Sequence, residues 1–291
     1  KGITVYENPP NSQGITMLIG LNILKGYDFS GMSYNDPRTL HLIVEAGKLA
    51  HVDKYYHVGD PAFVDVPVDA LLEEEHAAAQ RKRIDMNNAL QWPIDDILVS
   101  SGSDTTTYSI RDGYGNAAAV TTSLGAQFLV IGDTGIIINN RMRMTDFEEG
   151  NPNVIKPGKK VRHTSNPYMA FRDGKPYILG GNTGVDTQPQ GQIQQFMAVV
   201  EFGFTPQEAV SHPRMVSHAF PSGTWPHEAA NTLSMEGGFP EHLREAMKRL
   251  GHNVVTSGIY GTANMLVIDP ETGKISYGAD PRAAESMGIV E

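Results

Sequence analysis

The sequence predicts an α+β fold, a sandwich in which sheets pack between helical layers. Helical patterns come first, β-hairpins follow, helices return, and a last hairpin closes the chain. Strands do not alternate with helices in the βαβ manner of a doubly wound fold. The length of 291 residues suffices for one large domain or two, with a sizeable core. Hydrophobic residues make up 40% and charged residues 19%, the composition of a globular chain rather than a disordered one.

The first segment, Val5 to Gly14, carries Pro9-Pro10 and then Asn11-Ser12-Gln13-Gly14, which reads as a rigid turn. Met17, Leu18, Leu21 and Leu24 follow at helical spacing. Asp36-Pro37 supplies an N-cap with proline at the first helical position, and Leu40, Val44 and Ala50 lie on or near one face of the next helix. Leu71 to Arg83 begins acidic at Glu73-Glu74-Glu75 and ends basic at Arg81-Lys82-Arg83. That order suits a helix macrodipole, and the charges read as a solvated face. From Asp85 to Asp104 periodicity is weak and Trp92-Pro93 intervenes, so a linker without regular structure is expected.

Strands begin at Thr105. Thr105 to Arg111 and Ala117 to Leu124 flank the turn Asp112-Gly113-Tyr114-Gly115-Asn116 as a hairpin. Gly135 to Asn140 reads as a short buried strand. Tyr168 to Arg172 and Tyr177 to Gly181 form a second hairpin around Asp173-Gly174-Lys175. Gln192 to Gly203 is expected to be helical, and Thr205-Pro206-Gln207-Glu208 is a capping box opening another helix. Pro240 to Leu250 places Leu243, Met247 and Leu250 on one helical face, with Gly251 as its stop. Ala263 to Asp269 and Lys274 to Gly278 make the last hairpin around Pro270-Glu271-Thr272-Gly273.

Composition removes several function classes. A net charge of −10 argues against a general nucleic-acid binder and gives no reason to expect attraction to anionic membranes. No cysteine is present, which excludes disulfides, thiolate catalysis and cysteine-zinc sites. The histidines show no H-E-x-x-H or similar spacing, so no metal and no cofactor is expected. No apolar run approaches the ~20 residues of a membrane span. Lys1 to Tyr6 opens on a strand-like run without an initiator methionine and reads as the middle of a longer protein.

Ser103-Asp104-Thr105-Thr106-Thr107-Tyr108-Ser109-Ile110 carries two readings. A Thr-rich β-branched run is a strand. A cut between Asp104 and Thr105 would also give Thr105 a hydroxyl nucleophile and a free α-amine in one residue. That amine has a reference pKa of about 7.7–8.0 and can act as base near neutral pH. A segment directly before such a cut has to be mobile or strained, which fits the weakly patterned stretch upstream.

Across nearly the whole chain, ordered signatures resemble the γ-glutamyltranspeptidase family of N-terminal-nucleophile hydrolases. Val5-Tyr6 with Pro9-Pro10 and Gly14 is similar to the family's V-Y-x-x-P-P-x-S-x-G segment. Glu45-Ala46-x-Lys48-x-Ala50 and Gly59-Asp60-Pro61-x-Phe63-Val64 resemble the next two signatures. Asp104-Thr105-Thr106-Thr107-Tyr108-Ser109, with Asp112, Gly115 and Asn116, resembles the D-T-T-H-x-S-x-x-D-x-x-G-N processing site. Gly135-Ile136-Ile137-Ile138-Asn139-Asn140 resembles G-I-x-L-N-N, and Asp280-Pro281-Arg282 the closing D-P-R.

The resemblance implies a four-layer α-β-β-α sandwich, made as one chain that cuts itself before the nucleophile threonine into two subunits that stay together. Residues 1–104 would be the end of the large subunit and 105–291 the small subunit. The earlier part of the large subunit, with the family's arginine for the substrate α-carboxylate, would lie outside this chain. Thr105 falls on the nucleophile, Ser123 on a hydroxyl that supports its amine, and Gly184 and Val185 on the pair whose N–H groups hold the oxyanion. Apart from the resemblance, Ser123 reads as an ordinary strand serine and Gly180 to Gly184 as a glycine-rich turn. Asn116 reads first as a turn residue.

Departures cluster around the substrate. Thr107 replaces the usual histidine. Ser123-Leu124-Gly125 stands for T-L-N, Asn139-Asn140-Arg141 for N-N-Q, and His163-Thr164 for the S-S pair that grips the α-carboxylate. The acidic ligand could be Asp146, with two extra residues intervening. Arg141, Arg143 and Arg162 are candidate carboxylate binders, or surface arginines. His163 is a candidate ligand or acid–base group, or a structural histidine. Gly184 to Gln194, with Asp186, Gln188 and Gln190, is more similar to the family's amidohydrolase and acylase branches. The expected function is therefore amide cleavage through a Thr105 acyl-enzyme. Its alternatives are a true γ-glutamyl hydrolase and transpeptidase acting on glutathione, and an uncut, non-catalytic relative that binds or supports. The expected partners are a small amide or γ-glutamyl substrate and the other subunit.

Overall fold

The computed structural model describes residues 2–92, 105–123, 129–258, 261–284 and 286–289. Strand β1 (Ile3–Tyr6) leads through the predicted turn into helix α1 (Ile15–Leu24), which is apolar almost all round and buries Met17, Ile19, Ile23 and Leu24. Helix α2 (Pro37–His57) starts as expected: Pro37 opens it and Asp36 Oδ1 accepts the Arg38 N–H at 2.9 Å. Its last turn is closed by Arg162, whose Nη1 donates to the carbonyls of Lys54 at 3.0 Å and Val58 at 3.1 Å. Arg162 is 4% exposed, so this candidate carboxylate binder serves as a helix cap.

The single helix expected over 71–83 is two, α3 (Val68–Leu72) and α4 (Glu74–Arg81), because Glu73 between them is extended. The glutamate run explains the break: Glu74 and Glu75 are better placed in the first turn of a new helix than inside an old one. Residues 85–92, expected to lack structure, are held on both sides. His41 Nε2 contacts the Asp85 carbonyl at 2.9 Å, and Glu45 and Lys48 of α2 take the Leu90 N–H at 2.9 Å and carbonyl at 2.8 Å. Asn231 brackets Trp92 through its backbone N–H and carbonyl. The rest of the expected linker, 93–104, lies outside the described residues.

Strands β2 (Thr105–Arg111) and β3 (Ala117–Ser123) form the predicted hairpin, and Asp112 organises its turn by accepting from the N–H groups of Tyr114 and Asn116. The Asn116 side chain also donates to Asp112, which places Asn116 in the turn. Residues 135–140 make no strand. Ile137 forms an isolated bridge with Val130, and Ile136 and Ile138 are 60% and 45% exposed, so this apolar run is not buried among the described residues.

Strands β4 (Tyr168–Arg172) and β5 (Lys175–Asn182) are followed by helix α5 (Thr187–Val200), which begins before the expected Gln192. Helix α6 (Pro206–Ser211) has the predicted capping box between Thr205 and Glu208. Then come β6 (Met215–Ser217), β7 (Leu233–Glu236), α7 (Glu241–Arg249), β8 (Val254–Ser257), β9 (Ala263–Ile268) and β10 (Ile275–Ala279).

The main sheet is five-stranded and antiparallel, in the order β1-β4-β5-β9-β10. Helices α5 and α6 pack on it, and α1 and α2 pack on α5. The β2–β3 hairpin lies over β5 and β9. Side chains alternate across a strand, so Asn182 of β5 meets Gly191 of α5 while Gly181 meets Thr107 of the hairpin. A Cβ on Gly181 would collide with Thr107 Oγ1. A second sheet, β6-β7-β8, joins α5 through side-chain amides: Gln194 bonds the Met215 N–H at 2.9 Å and carbonyl at 2.8 Å, and Gln190 does the same for Ser217.

The chain closes on a buried ionic cluster. Asp280 pairs with Arg214 and Arg282, accepts the Ala263 N–H at 2.9 Å, and is 1% exposed. Removing its carboxylate takes a buried salt-bridge partner from two guanidinium groups at once, so Asp280→Ala should cost about 3–5 kcal/mol in urea denaturation. Asp280→Asn, which keeps an acceptor for Ala263, should cost less.

Candidate active site

Thr105 heads β2 and pairs in register with Ser123 at the end of β3. Asp104, Leu124 and Gly125 lie outside the described residues. The hairpin is fastened to the sheet beneath. Ser109 Oγ donates to Asn264 Oδ1 of β9 at 2.8 Å, and Thr107, in the place of the family's histidine, bonds the Val120 carbonyl at 3.2 Å above Gly181.

From Ser123 an unbroken run of contacts crosses the site. Arg141 Nη2 donates to Ser123 Oγ at 2.6 Å, and its Nη1 reaches Thr164 Oγ1 at 3.5 Å. The Thr164 carbonyl accepts from Gln13 Nε2 at 2.9 Å, and the same nitrogen donates to the Val185 carbonyl at 2.9 Å. Residues 11–14 and 161–165 are stitched together beside it: Ser12 pairs with His163, and the Asn11 carbonyl accepts the His163 N–H at 3.1 Å. The fold thus gathers Ser123, Arg141, Thr164 and Val185 from four separate segments. His163 adjoins them, its imidazole held below its ordinary pKa by burial and then by the Arg141 charge.

Arg141 has no carboxylate partner within 4 Å among the described residues, and its Nε is buried without a hydrogen bond. Burial and the neighbouring Arg143 both work against its charge. A guanidinium next to Ser123, with neutral partners only among the described residues, is a ready receptor for an anion.

The Gly184-Val185 turn links β5 to α5. Gly184 has φ +99°, a conformation that favours glycine, and a Cβ there would strike Thr187 Oγ1. Asp186 follows, its carboxylate gripped by Lys54 Nζ at 2.5 Å and by the Gly223 N–H at 2.6 Å. Burial alone would raise the Asp186 carboxyl, but Lys54, His51 and these bonds bring it down to about 2. Burial also lowers the Lys54 ammonium, with Asp186 opposing. Both groups contacting the carboxylate are donors, so the ionised pair is the arrangement that satisfies them.

Asp146 is buried, but its bonds lie apart from that run of contacts: Oδ1 accepts the Glu148 N–H at 2.8 Å, and Oδ2 lies 3.5 Å from His227 Nε2. One buried cluster of metal-ligating types exists among the described residues, His41, Glu45 and His252. Lys48 Nζ sits 2.6 Å from Glu45 and already supplies the positive charge there, while His41 and His252 bond each other at 2.8 Å. Gln13 and Lys54 were not singled out in the sequence. Lys54 sits in a helix whose positions are nearly all buried, a fact that the structure gives and the mixed polar sequence of α2 does not. For Gln13 no local signal exists.

Residues 1–290 match the family described as gamma-glutamyltranspeptidase. The chain belongs to the γ-glutamyltranspeptidase family. It is similar to the glutathione hydrolase-like YwrD proenzyme of Bacillus subtilis (strain 168), with 36% identity over 297 residues, 99% of this chain and 54% of that protein. It is 30% identical over 288 residues to the oxamate amidohydrolase proenzyme of Klebsiella pneumoniae subsp. pneumoniae, covering 96% of this chain and 52% of the relative. The crystal structure of cephalosporin acylase from Bacillus halodurans superposes with a TM-score of 0.84 at 31% identity, over 97% of this chain and 50% of that one. The chain thus spans about half the length of these γ-glutamyltranspeptidase relatives. The fold is the family's α+β N-terminal-nucleophile hydrolase sandwich, as the sequence resemblance implied.

The Lys54–Asp186 pair makes acid stability testable. The folded Asp186 carboxyl sits at about 2 against an ordinary 3.8. Its contribution is therefore complete above about pH 4 and lost as pH falls through about 2. Between those limits the native protein should lose roughly 2 kcal/mol more than an Asp186→Asn variant, read from urea midpoints.

Proposed function

We propose that the protein is a self-processed amide hydrolase or acylase in which residues 1–104 end the large subunit and 105–291 form the small one. Thr105 is the nucleophile and its freed α-amine the base. The Thr105 Oγ–acyl bond forms as the amide C–N bond breaks, and the hydroxyl proton passes through the amine to the departing nitrogen. Water then cleaves the ester, releasing the acid and restoring the hydroxyl; an amine in place of water gives transfer. Ser123 supports the amine, and the N–H groups of Gly184 and Val185 face the developing oxyanion.

The observation that carries the substrate reading is the guanidinium of Arg141, hydrogen-bonded to Ser123 and without a carboxylate of its own among the described residues. It contacts Ser123 directly, the residue paired with Thr105. A carboxylate bound there would sit close to the scissile amide, so the acyl group favoured is a short one carrying a carboxylate. His163 and Thr164 complete the rim, and Asp146 is kept as an outer contact. The similarity to an oxamate amidohydrolase points the same way, since oxamate carries its carboxylate on the amide carbonyl. A γ-glutamyl head, with its carboxylate several bonds further out, fits this placement less well.

Intact mass spectrometry of the full-length protein beside Thr105→Ala tests the first half: the native chain should split before Thr105 and the variant stay whole. A native chain that stays whole would favour the uncut binding relative. For the second half, monoamides of short dicarboxylic acids should outrun both γ-glutamyl anilides and uncharged amides. Arg141→Met should lower kcat/KM for the charged substrates by about ten- to hundredfold, as loss of a charge-assisted hydrogen bond does, and leave uncharged amides nearly unchanged. Faster turnover of the γ-glutamyl anilide would reinstate the glutathione-type reading.

A further inference from the structure

We infer that Gln13 is a positioning residue for the oxyanion turn and sets its distance from the Arg141 anion site. The inference rests on the reading of Gly184 and Val185 as the oxyanion donors. Gln13 lies on the turn between β1 and α1 and is 1% exposed. Its own backbone is fixed, the N–H donating to the His163 carbonyl at 3.0 Å and the carbonyl accepting the Thr16 N–H at 2.9 Å. Its side-chain NH₂ has two hydrogens and two acceptors, the carbonyls of Thr164 and Val185, each at 2.9 Å. No other described residue donates to either carbonyl.

The consequence for Val185 is geometric. Its N–H and its carbonyl are separated by only two soft torsions. Gly184, held at φ +99°, fixes the peptide on one side. Gln13 fixes the Val185 carbonyl, and the Asp186 carboxylate is locked by Lys54 and Gly223 just beyond. With both ends of Val185 anchored, the direction of its N–H is determined, although valine lacks the freedom of the family's usual second glycine. The other hydrogen of the same NH₂ ties that turn to Thr164, whose hydroxyl faces Arg141. One planar amide thus spaces the group holding the substrate anion from the group holding the oxyanion.

The test uses the full-length enzyme on a short dicarboxylic monoamide, with Thr105→Ala as the inactive control. Gln13→Met fills the same space without donors. It should lower kcat by about 10²–10³-fold, the size of losing one oxyanion donor, while KM stays within about threefold. Gln13→Glu has the same shape but, once ionised, no donor. Protonated, it regains one O–H, so its activity relative to the native enzyme should rise as pH falls. A purely structural role would not produce that pH-dependent ratio. A kcat for Gln13→Met within threefold of native overturns the inference while the Thr105 reading stands. Should Gln13→Met fail to fold, Gln13→Glu decides: a ratio flat in pH overturns it. Native protein without Thr105-dependent turnover overturns both the function proposed and this inference together.

Discussion

The absence of a side chain at Gly181 lets the hairpin that begins with Thr105 settle onto the main sheet. Any Cβ at that point would occupy the position of Thr107 Oγ1, and the hairpin would be lifted off β5. The same strand runs on through Asn182 and Thr183 into the Gly184-Val185 turn. The close approach of two backbones at one glycine therefore brings the strand headed by the candidate nucleophile Thr105 and the candidate oxyanion turn onto a common frame. Ser109 on Asn264 secures the other end of the strand, so the hairpin is held at two points along its length.

Around this frame the protein buries charge, and four of the buried cations have a carboxylate partner. Lys54 is matched by Asp186, Arg214 by Asp280, Arg282 by Glu236, and Lys48 by Glu45. Desolvation makes such pairs weak contributors to stability on balance, but the loss of either member is expensive. Their placement is informative: each joins segments far apart in sequence, save Glu45–Lys48, which instead clasps the backbone at Leu90. Arg141 differs from these four. It is half-buried, bonded to a serine, a threonine and a methionine sulfur, and without a described counter-charge. Arg162 also lacks a carboxylate, but its guanidinium is spent on the carbonyls that end α2, whereas Arg141 stands beside Ser123, and that placement carries the weight of the substrate argument.

What the sequence made legible was local. The hairpin could be read because β-branched residues flank a turn whose aspartate collects nearby N–H groups. Asp36 and Thr205 announced their helices because capping is a matter of three or four consecutive residues. The sheet β6-β7-β8 went unread, since its strands are three or four residues long and one pairing is parallel between distant segments. The start of α5 was hidden because Pro189 and Gly191 look like breakers, yet proline is tolerated in a first turn and Gly191 lets Asn182 approach. Residues 135–140 misled by composition alone: an apolar run has the look of a buried strand whether or not anything covers it. The motif residues of the site were legible one by one through the family resemblance, whereas the amide of Gln13 that joins two of them was not, because its partners lie about 150 and 170 positions away.

On the proposed function, the departures from the family pattern read as one change of recognition chemistry rather than scattered drift. A γ-glutamyl head offers both an ammonium and a carboxylate at its far end, and needs acceptors for one and donors for the other. Here Arg141, a cation, stands where the family has a neutral glutamine, and His163 beside it is kept neutral by burial and by that same cation. An ammonium would meet positive charge and no acceptor at Arg141. The acidic side chain nearest in sequence, Asp146, is buried elsewhere, with Oδ1 accepting the Glu148 N–H and Oδ2 lying 3.5 Å from His227 Nε2. On the proposed function, electrostatics at this rim would oppose an α-ammonium group and favour an acyl group that is anionic only, independent of how close the carboxylate lies to the amide.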